Sequence, residues 1–163
     1  MPDRLPPGKV PWELIADLVG GPLPEAVKLG PALGEDAALV EIGGELWALA
    51  ADPITFTSFE AGRLAVVVNA NDLAVRGARP RYLLAVGLIA PSEATPTRVR
   101  GLLEQVRRGC AELGVSLIGG HTEVAPGLAH SVIVGTMLGR VEGRPLTTGG
   151  LRAGDLVGMT RSA

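Results

Sequence analysis

Cysteine is nearly missing from this chain: Cys110 stands alone among 163 residues, which excludes an internal disulfide framework and fits a reducing compartment. Aromatic residues make up only 3%, so a core has to be assembled from Val, Leu, Ile and Ala. No dense Lys or Arg run exists, and the formal net charge is −2. That balance exerts no long-range pull on nucleic acid or an anionic membrane, and neither partner is expected. No unbroken apolar run approaches the roughly 20 residues of a membrane span. The opening stretch from Met1 to Pro11 is Pro-rich and polar, unlike a signal peptide. A soluble, cytoplasmic protein is expected. There is no internal repeat and no low-complexity segment.

With 47% hydrophobic and 20% charged residues, the chain has the composition of a globular domain with one core. Gly (23) and Pro (13) are abundant, which favours tight turns and close packing. Pro11 opens a helix with Trp12, Ile15, Ala16 and Val19 at helical spacing, stopped by Gly20-Gly21-Pro22. Ala37 to Ile42 and Glu45 to Ala51 flank Gly43-Gly44 and read as a β-hairpin. A helix is expected over Ala61 to Arg76, with Leu64, Val67, Val68, Asn71, Asp72 and Val75 on its inner face and Gly77 at its end. Arg81 to Ile89 reads as a buried strand. Thr95-Pro96 caps a long helix carrying Val99, Leu102, Leu103, Val106, Cys110 and Leu113, closed by Gly114. Val115 to Ile118 is a short strand emptying into a Gly119-Gly120 loop, and Ser131 to Leu138 is a further strand. The sum is an α+β fold, a mixed sheet with helices on one face. Gly154 to Thr160 reads as the start of another strand.

Carboxylates recur beside small residues in mostly apolar stretches: Gly34-Glu35-Asp36-Ala37-Ala38, Ala51-Asp52-Pro53, Asn69-Ala70-Asn71-Asp72, and Gly119-Gly120-His121-Thr122-Glu123. Ionised acids stay in such surroundings only if something positive neutralises them. Mg²⁺ carrying a polyphosphate meets that need with one or two carboxylates, phosphate oxygens and water. The hairpin brings Asp36 and Asp52, at its two outer ends, toward each other. An unpaired Asp72 on an inner helix face would be costly, so a cationic partner is expected for it. Taken singly, the same residues have blander readings. Glu35-Asp36 serves equally as a turn, Asp52-Pro53 as a strand end, and Gly119-Gly120 as a bend or an anion-binding nest. Cys110 reads as a small core residue and His130 as a surface one. Arg76, Arg79 and Arg81 fit either a solvated face or phosphate contacts.

The motifs GEDAALV, ADPITF, NANDLAVRGARP and IGGHTEV, in this order, resemble the amino-terminal half of the aminoimidazole ribonucleotide (AIR) synthetase superfamily. That group includes thiamine-monophosphate kinase, selenophosphate synthetase and the E-type hydrogenase expression/formation proteins, and the last branch looks most similar. The resemblance implies an ATP-binding and dimerisation domain over residues 1–150, whose sheet pairs with that of a second copy. Residues 151–163 would begin a linker or strand into a carboxy-terminal domain. It implies Mg²⁺ ligation by Asp36, Asp52 and Asp72, and ATP contacts by Asn71, Gly119, Gly120 and Thr122. Relatives often carry an acid where His121 stands, so no role carries over to His121 or Glu123. No catalytic residue is identified.

The implied chemistry is ATP-dependent dehydration of a carboxamide on a small-molecule or protein-bound acceptor, in which phosphorylation makes oxygen a good leaving group. The branch holds its carboxamide on a carboxy-terminal cysteine, which these residues lack, so they are not expected to complete turnover alone. Alternatives are a thiamine-monophosphate-kinase-like phosphotransferase, against which Glu35 counts where two aspartates are usual, and a non-enzymatic dimerising nucleotide-binding module. A selenophosphate-synthetase-like enzyme is disfavoured because Lys9 has no cysteine neighbour.

Overall fold

The computed structural model describes residues 4–55 and 59–159. Its strands run β1 (Val27–Leu29), β2 (Ala38–Ile42), β3 (Glu45–Ile54), β4 (Ala78–Ile89), β5 (Ser116–Val124) and β6 (Val132–Val141), with α1 (Ala16–Val19) before β1, α2 (Ala61–Ala74) between β3 and β4, and α3 (Pro96–Leu113) between β4 and β5. The six strands form one sheet in the order β1-β2-β3-β6-β4-β5. All neighbours are antiparallel except β4 and β5, which α3 joins as a crossover. The expected α+β architecture with helices on one sheet face is present.

The hairpin forms as its glycines require. Gly43 and Gly44 adopt φ +61° and +79°, the left-handed values a two-residue turn demands, and Ile42 pairs with Glu45. Thr95 caps α3 by accepting a hydrogen bond from the Arg98 amide at 3.2 Å, and Gly114 ends it at φ +66°. Two expected elements differ. The amino-terminal helix is a single 3₁₀ turn, Trp12–Leu14, followed by the four-residue α1, because the chain is too short there to propagate. The stretch from Gly154 to Met159 forms no strand and is exposed, while Thr160 to Ala163 lie outside the described residues.

The inner face of α2 is also not the expected one. Ala61, Gly62, Ala65, Val66, Asn69, Ala70 and Leu73 are buried, while Asn71 is exposed and Leu64, Val67, Val68 and Asp72 are half-buried. Size rather than hydropathy selects this face. A Cβ added to Gly62 would lie 2.4 Å from the Leu102 carbonyl oxygen of α3, and one on Gly109 would lie 3.1 Å from Val66. Small residues let the helices approach closely, and larger aliphatics are left on the flanks.

One core cluster joins Leu39, Ala48, Ala50, Val66, Leu73, Leu83, Val106, Cys110 and Met137. A second joins Ile54, Ala61, Ala65, Ile89, Leu102 and Ile133. Cys110 is buried in the first, as its helical spacing implied. On the opposite sheet face Trp47 and Tyr82 stack at 6.1 Å. Gly62→Ala is expected to overpack the α2–α3 contact and cost about 1–3 kcal/mol. A lowered urea midpoint would show this, and an unchanged midpoint would contradict it.

Candidate functional site

β3 and α2 bring the amino-terminal acids together. Asp52 pairs across the ladder with Gly135 of β6, and its side chain shares the helix-facing side of β3 with Ala48, Ala50 and Ile54. There it meets α2. The wholly buried Asn69 accepts a hydrogen bond from the Asp52 amide through Oδ1 at 3.1 Å. Its Nδ2 donates to the Asp52 carbonyl at 3.4 Å and to the Ala65 carbonyl at 2.8 Å. One side-chain amide thus staples the strand backbone to the helix at the acid itself. Room for it exists because position 135 is glycine: a Cβ there would sit 2.5 Å from Asn69 Nδ2.

Asp72 lies three residues further along α2. Its Oδ2 is buried without a hydrogen-bond partner, and its carboxyl is pushed up from 3.8 to about 7. Burial contributes most, followed by the hydrogen bond and charge of Asp52 and then the charge of Asp36, while Lys9 pulls the other way. Asp36, Asp52 and Asp72 therefore occupy one electrostatic neighbourhood, to which Lys9 adds a smaller opposing charge without an ion pair to Asp72 among the described contacts. Among the described residues, no group of three or more His, Cys, Asp or Glu side chains forms a ready metal cage. The donor set is nevertheless all oxygen, with one buried lone pair unused. That fits a hard cation such as Mg²⁺, which relies on a few carboxylates and takes its other ligands from phosphate and water.

The neighbouring acid behaves differently. Glu35 forms an ion pair with Arg76, whose side chain is only 1% exposed. Of the three arginines left open by the sequence, Arg76 is thus a buried anchor. Arg81 lies 3.6 Å from Glu142 at the surface, and Arg79 is exposed. Beside this loop a hollow of about 610 Å³ is lined by Lys9, Trp12, Ile15, Leu33, Glu35 and Asp36.

The second half of the expected site is elsewhere. Gly119 and Gly120 lie inside β5, not in a loop. The register with β4 slips between Leu83 and Leu84, so one extra residue of β5 bulges. Gly120 adopts φ +150°, and a Cβ there would stand 1.8 Å from the Ala85 carbonyl oxygen. Glycine is thus required for the edge strand to pair at all. Gly119, Gly120 and Thr122 help line a hollow of about 180 Å³ between β5 and α3. From β3 this edge is separated by β6 and β4, about 14 Å at ordinary strand spacing. Asn71 is exposed on α2, off the face that carries Asn69. His121 and Glu123 pair with each other at 3.3 Å on the exposed edge. The sequence reading missed Asn69 and the Glu35–Arg76 pair. The signal for Asn69 was its i, i+3 spacing from Asp72.

These features coincide with a family. The model of the AIR synthase related protein, N-terminal domain, matches residues 34–141, and the chain belongs to this family. A Methanocaldococcus jannaschii protein named for hydrogenase expression and formation is 30% identical over 160 residues, covering 92% of this chain and 47% of that protein. A phosphoribosylformylglycinamidine cyclo-ligase of Shouchella clausii is 36% identical over 106 residues, covering 62% and 30%. The chain thus spans about half or less of the length of these curated relatives. Among solved structures, a HypE–HypF complex aligns with TM-score 0.60 at 25% identity, covering 69% of this chain and 38% of that one. HypE in complex with ATP aligns with TM-score 0.54 at 24% identity, covering 83% and 41%. AaThiL complexed with AMPPCP and TMP aligns with TM-score 0.65 at 19% identity, covering 86% and 43%; the last two likenesses bear on the fold alone.

Asp72 holds its proton more tightly folded, at about 7, than at its ordinary value of 3.8. The folded state therefore carries an extra proton between those values, and stability falls as pH rises through them. With divalent ions chelated, Asp72→Asn should abolish this slope, raising Tm over the parent above pH 7 and matching it near pH 4. Thermal melts across pH check this; a variant that keeps the parental slope would contradict the assignment.

Proposed function

We propose that this chain is the Mg²⁺·ATP-binding part of an AIR synthase-related enzyme, acting in ATP-dependent dehydration of a carboxamide as in the hydrogenase-formation branch. The observation carrying this reading is the convergence of Asp36, Asp52 and Asp72, with a buried, unpartnered oxygen on Asp72. HypE with ATP and AaThiL with AMPPCP share the fold, and this reading carries their nucleotide over to the present chain. In this reading residues 1–150, which enclose the matched span 34–141, are the nucleotide-binding domain, and the following stretch leads toward a second domain. In this reading the apolar sheet face around Trp47 and Tyr82 packs against a second copy. Gly119, Gly120 and Thr122 contact the nucleotide from the β5 edge, and Asn71 does so from α2. Among the described residues no helix is long and apolar enough to cross a membrane, and a cytoplasmic setting is part of the proposal.

When bound, Mg²⁺ would neutralise charge on the phosphates and on oxygens developing charge during phosphoryl transfer. The chain's own residues divide the remaining work. Asp36, Asp52 and Asp72 would hold the ion. Asn69 fixes the Asp52 backbone so that this acid does not recoil from Asp72. Lys9, at the rim of the 610 Å³ hollow, supplies positive charge beside the acids. The acceptor, a small molecule or a protein-bound carboxamide, would receive the phosphoryl group on its oxygen, making that oxygen a leaving group.

A second reading, phosphoryl transfer to a phosphomonoester, is supported by the fold shared with AaThiL bound to AMPPCP and TMP. ADP release that depends on added thiamine monophosphate would favour it. A non-enzymatic dimerising module would bind nucleotide without consuming it.

The test is calorimetry of ATP binding with and without Mg²⁺. Asp72→Asn is expected to weaken the Mg²⁺-dependent affinity tenfold or more, about 1.4 kcal/mol, with the fold intact by circular dichroism. Equal affinities in variant and parent would overturn the reading.

A further inference from the structure

The adjacent acids Glu35 and Asp36 have opposite fates, and the difference traces to Thr148. Glu35 points inward, its side chain 11% exposed, onto the buried guanidinium of Arg76. Thr148 closes this pair from the far side. Its amide donates to Glu35 Oε1 at 3.2 Å, and its hydroxyl donates to the Gly34 carbonyl at 2.8 Å while lying 3.1 Å from Glu35 Oε2. The same hydroxyl accepts long bonds from Arg76 Nη2 and Nη1 at 3.4 and 3.5 Å. The segment bearing Thr148 is itself stitched to the end of α2. The Leu146 amide donates to the Arg76 carbonyl at 3.2 Å, the Glu142 amide to the Gly77 carbonyl at 3.0 Å, and Arg76 Nη1 to the Leu146 carbonyl at 3.3 Å.

Both the backbone and the side chain of the residues immediately before Asp36 are thus gripped by one threonine. The grip matters because Gly34 turns the chain at φ +81°, a conformation that leaves the loop a glycine's freedom. A ligand on such a loop is useful only if something else fixes it, since binding groups have to be held within about 0.5 Å of their working positions. Glu35, neutralised by Arg76, is not available to a cation; it is the handle by which Asp36 is held. We propose that Thr148 is a positioning residue for the divalent cation, acting through Glu35 and Gly34 to hold the Asp36 carboxylate against Asp52 and Asp72. This rests on the reading of the acidic cluster as a Mg²⁺·ATP site.

Five proteins decide it: the parent chain, Thr148→Val, Thr148→Ser, Asp36→Asn, and the Thr148→Val/Asp36→Asn double variant that closes the cycle. The readout is ATP affinity with and without Mg²⁺, alongside Tm. Thr148→Val keeps the shape and removes the hydroxyl; it is expected to weaken Mg²⁺-dependent binding about tenfold, the scale on which partners of metal ligands act. Binding of ATP without Mg²⁺ should not change. Thr148→Ser should restore the parental affinity, and the double variant should bind no more weakly than Asp36→Asn alone, since both changes act through one carboxylate. If Asp36→Asn weakens binding but Thr148→Val does not, this inference fails and the cation site stands. If serine behaves like valine, or the two losses add fully, Thr148 does not act through its hydroxyl on Asp36, and the inference again fails. A parent chain whose ATP affinity ignores Mg²⁺ overturns both.

Discussion

Burial of the Asp72 carboxyl beside two further acids is the constraint on which this structure turns. Three acids from three separate stretches of chain share one electrostatic neighbourhood, Asp36 from an exposed position, and the Asp72 carboxyl is pushed up to about 7 by burial and by its neighbours. Left to themselves, like charges on a small domain would splay into water. Here the splaying is blocked by uncharged and paired groups: Asn69 bonds both backbone groups of Asp52, and the Arg76–Glu35 pair pins the loop that carries Asp36. Removing one member of a buried ion pair of this kind typically costs about 3–5 kcal/mol, so the loop has little freedom to relax the repulsion. Strain of this sort is found where a fold prepares a site for a ligand of opposite charge.

The sheet supplies the rigidity. β3 runs from the hairpin turn through Asp52 and pairs with β6 along most of its length. Glycines at 135 and 139 on β6 clear space above the sheet: a Cβ at either would strike Asn69 or Leu73 of α2. The helix can therefore settle low enough for Asn69 to reach the strand backbone. Bonds from Asn69 and Arg76 join sheet, helix and acid loop, and the acidic cluster lies beside them.

Much of this was legible in the amino-acid sequence because it depends on local chemistry. Gly43-Gly44 dictates a hairpin, and its outer ends lead to Asp36 and Asp52, whose charges both act on Asp72. Thr95-Pro96 and Gly114 bracket α3 within a residue of where it lies. What was not legible depends on tertiary size and register. The buried face of α2 is chosen by how near Gly62, Ala65 and Ala70 let it come, a selection hydropathy does not record. Gly119-Gly120 looks like a loop, yet a register slip and a near-contact with the Ala85 carbonyl make it part of an edge strand. Arg76 lies in a run with Arg79 and Arg81 that sequence cannot divide. Only the path of the segment from Glu142 to Thr148, which covers the end of α2, separates the buried arginine from its exposed neighbours.

The most direct test of the central claim is to count protons. Calorimetric titration of Mg²⁺·ATP into the chain at pH 7, in two buffers of different ionisation enthalpy, measures the protons released on binding. If the cluster shares a proton that the cation displaces, binding should expel a substantial fraction of one proton from the parent and none from Asp72→Asn. Proton release that is zero in the parent, or equal in both proteins, would show that the three acids do not act together on a cation.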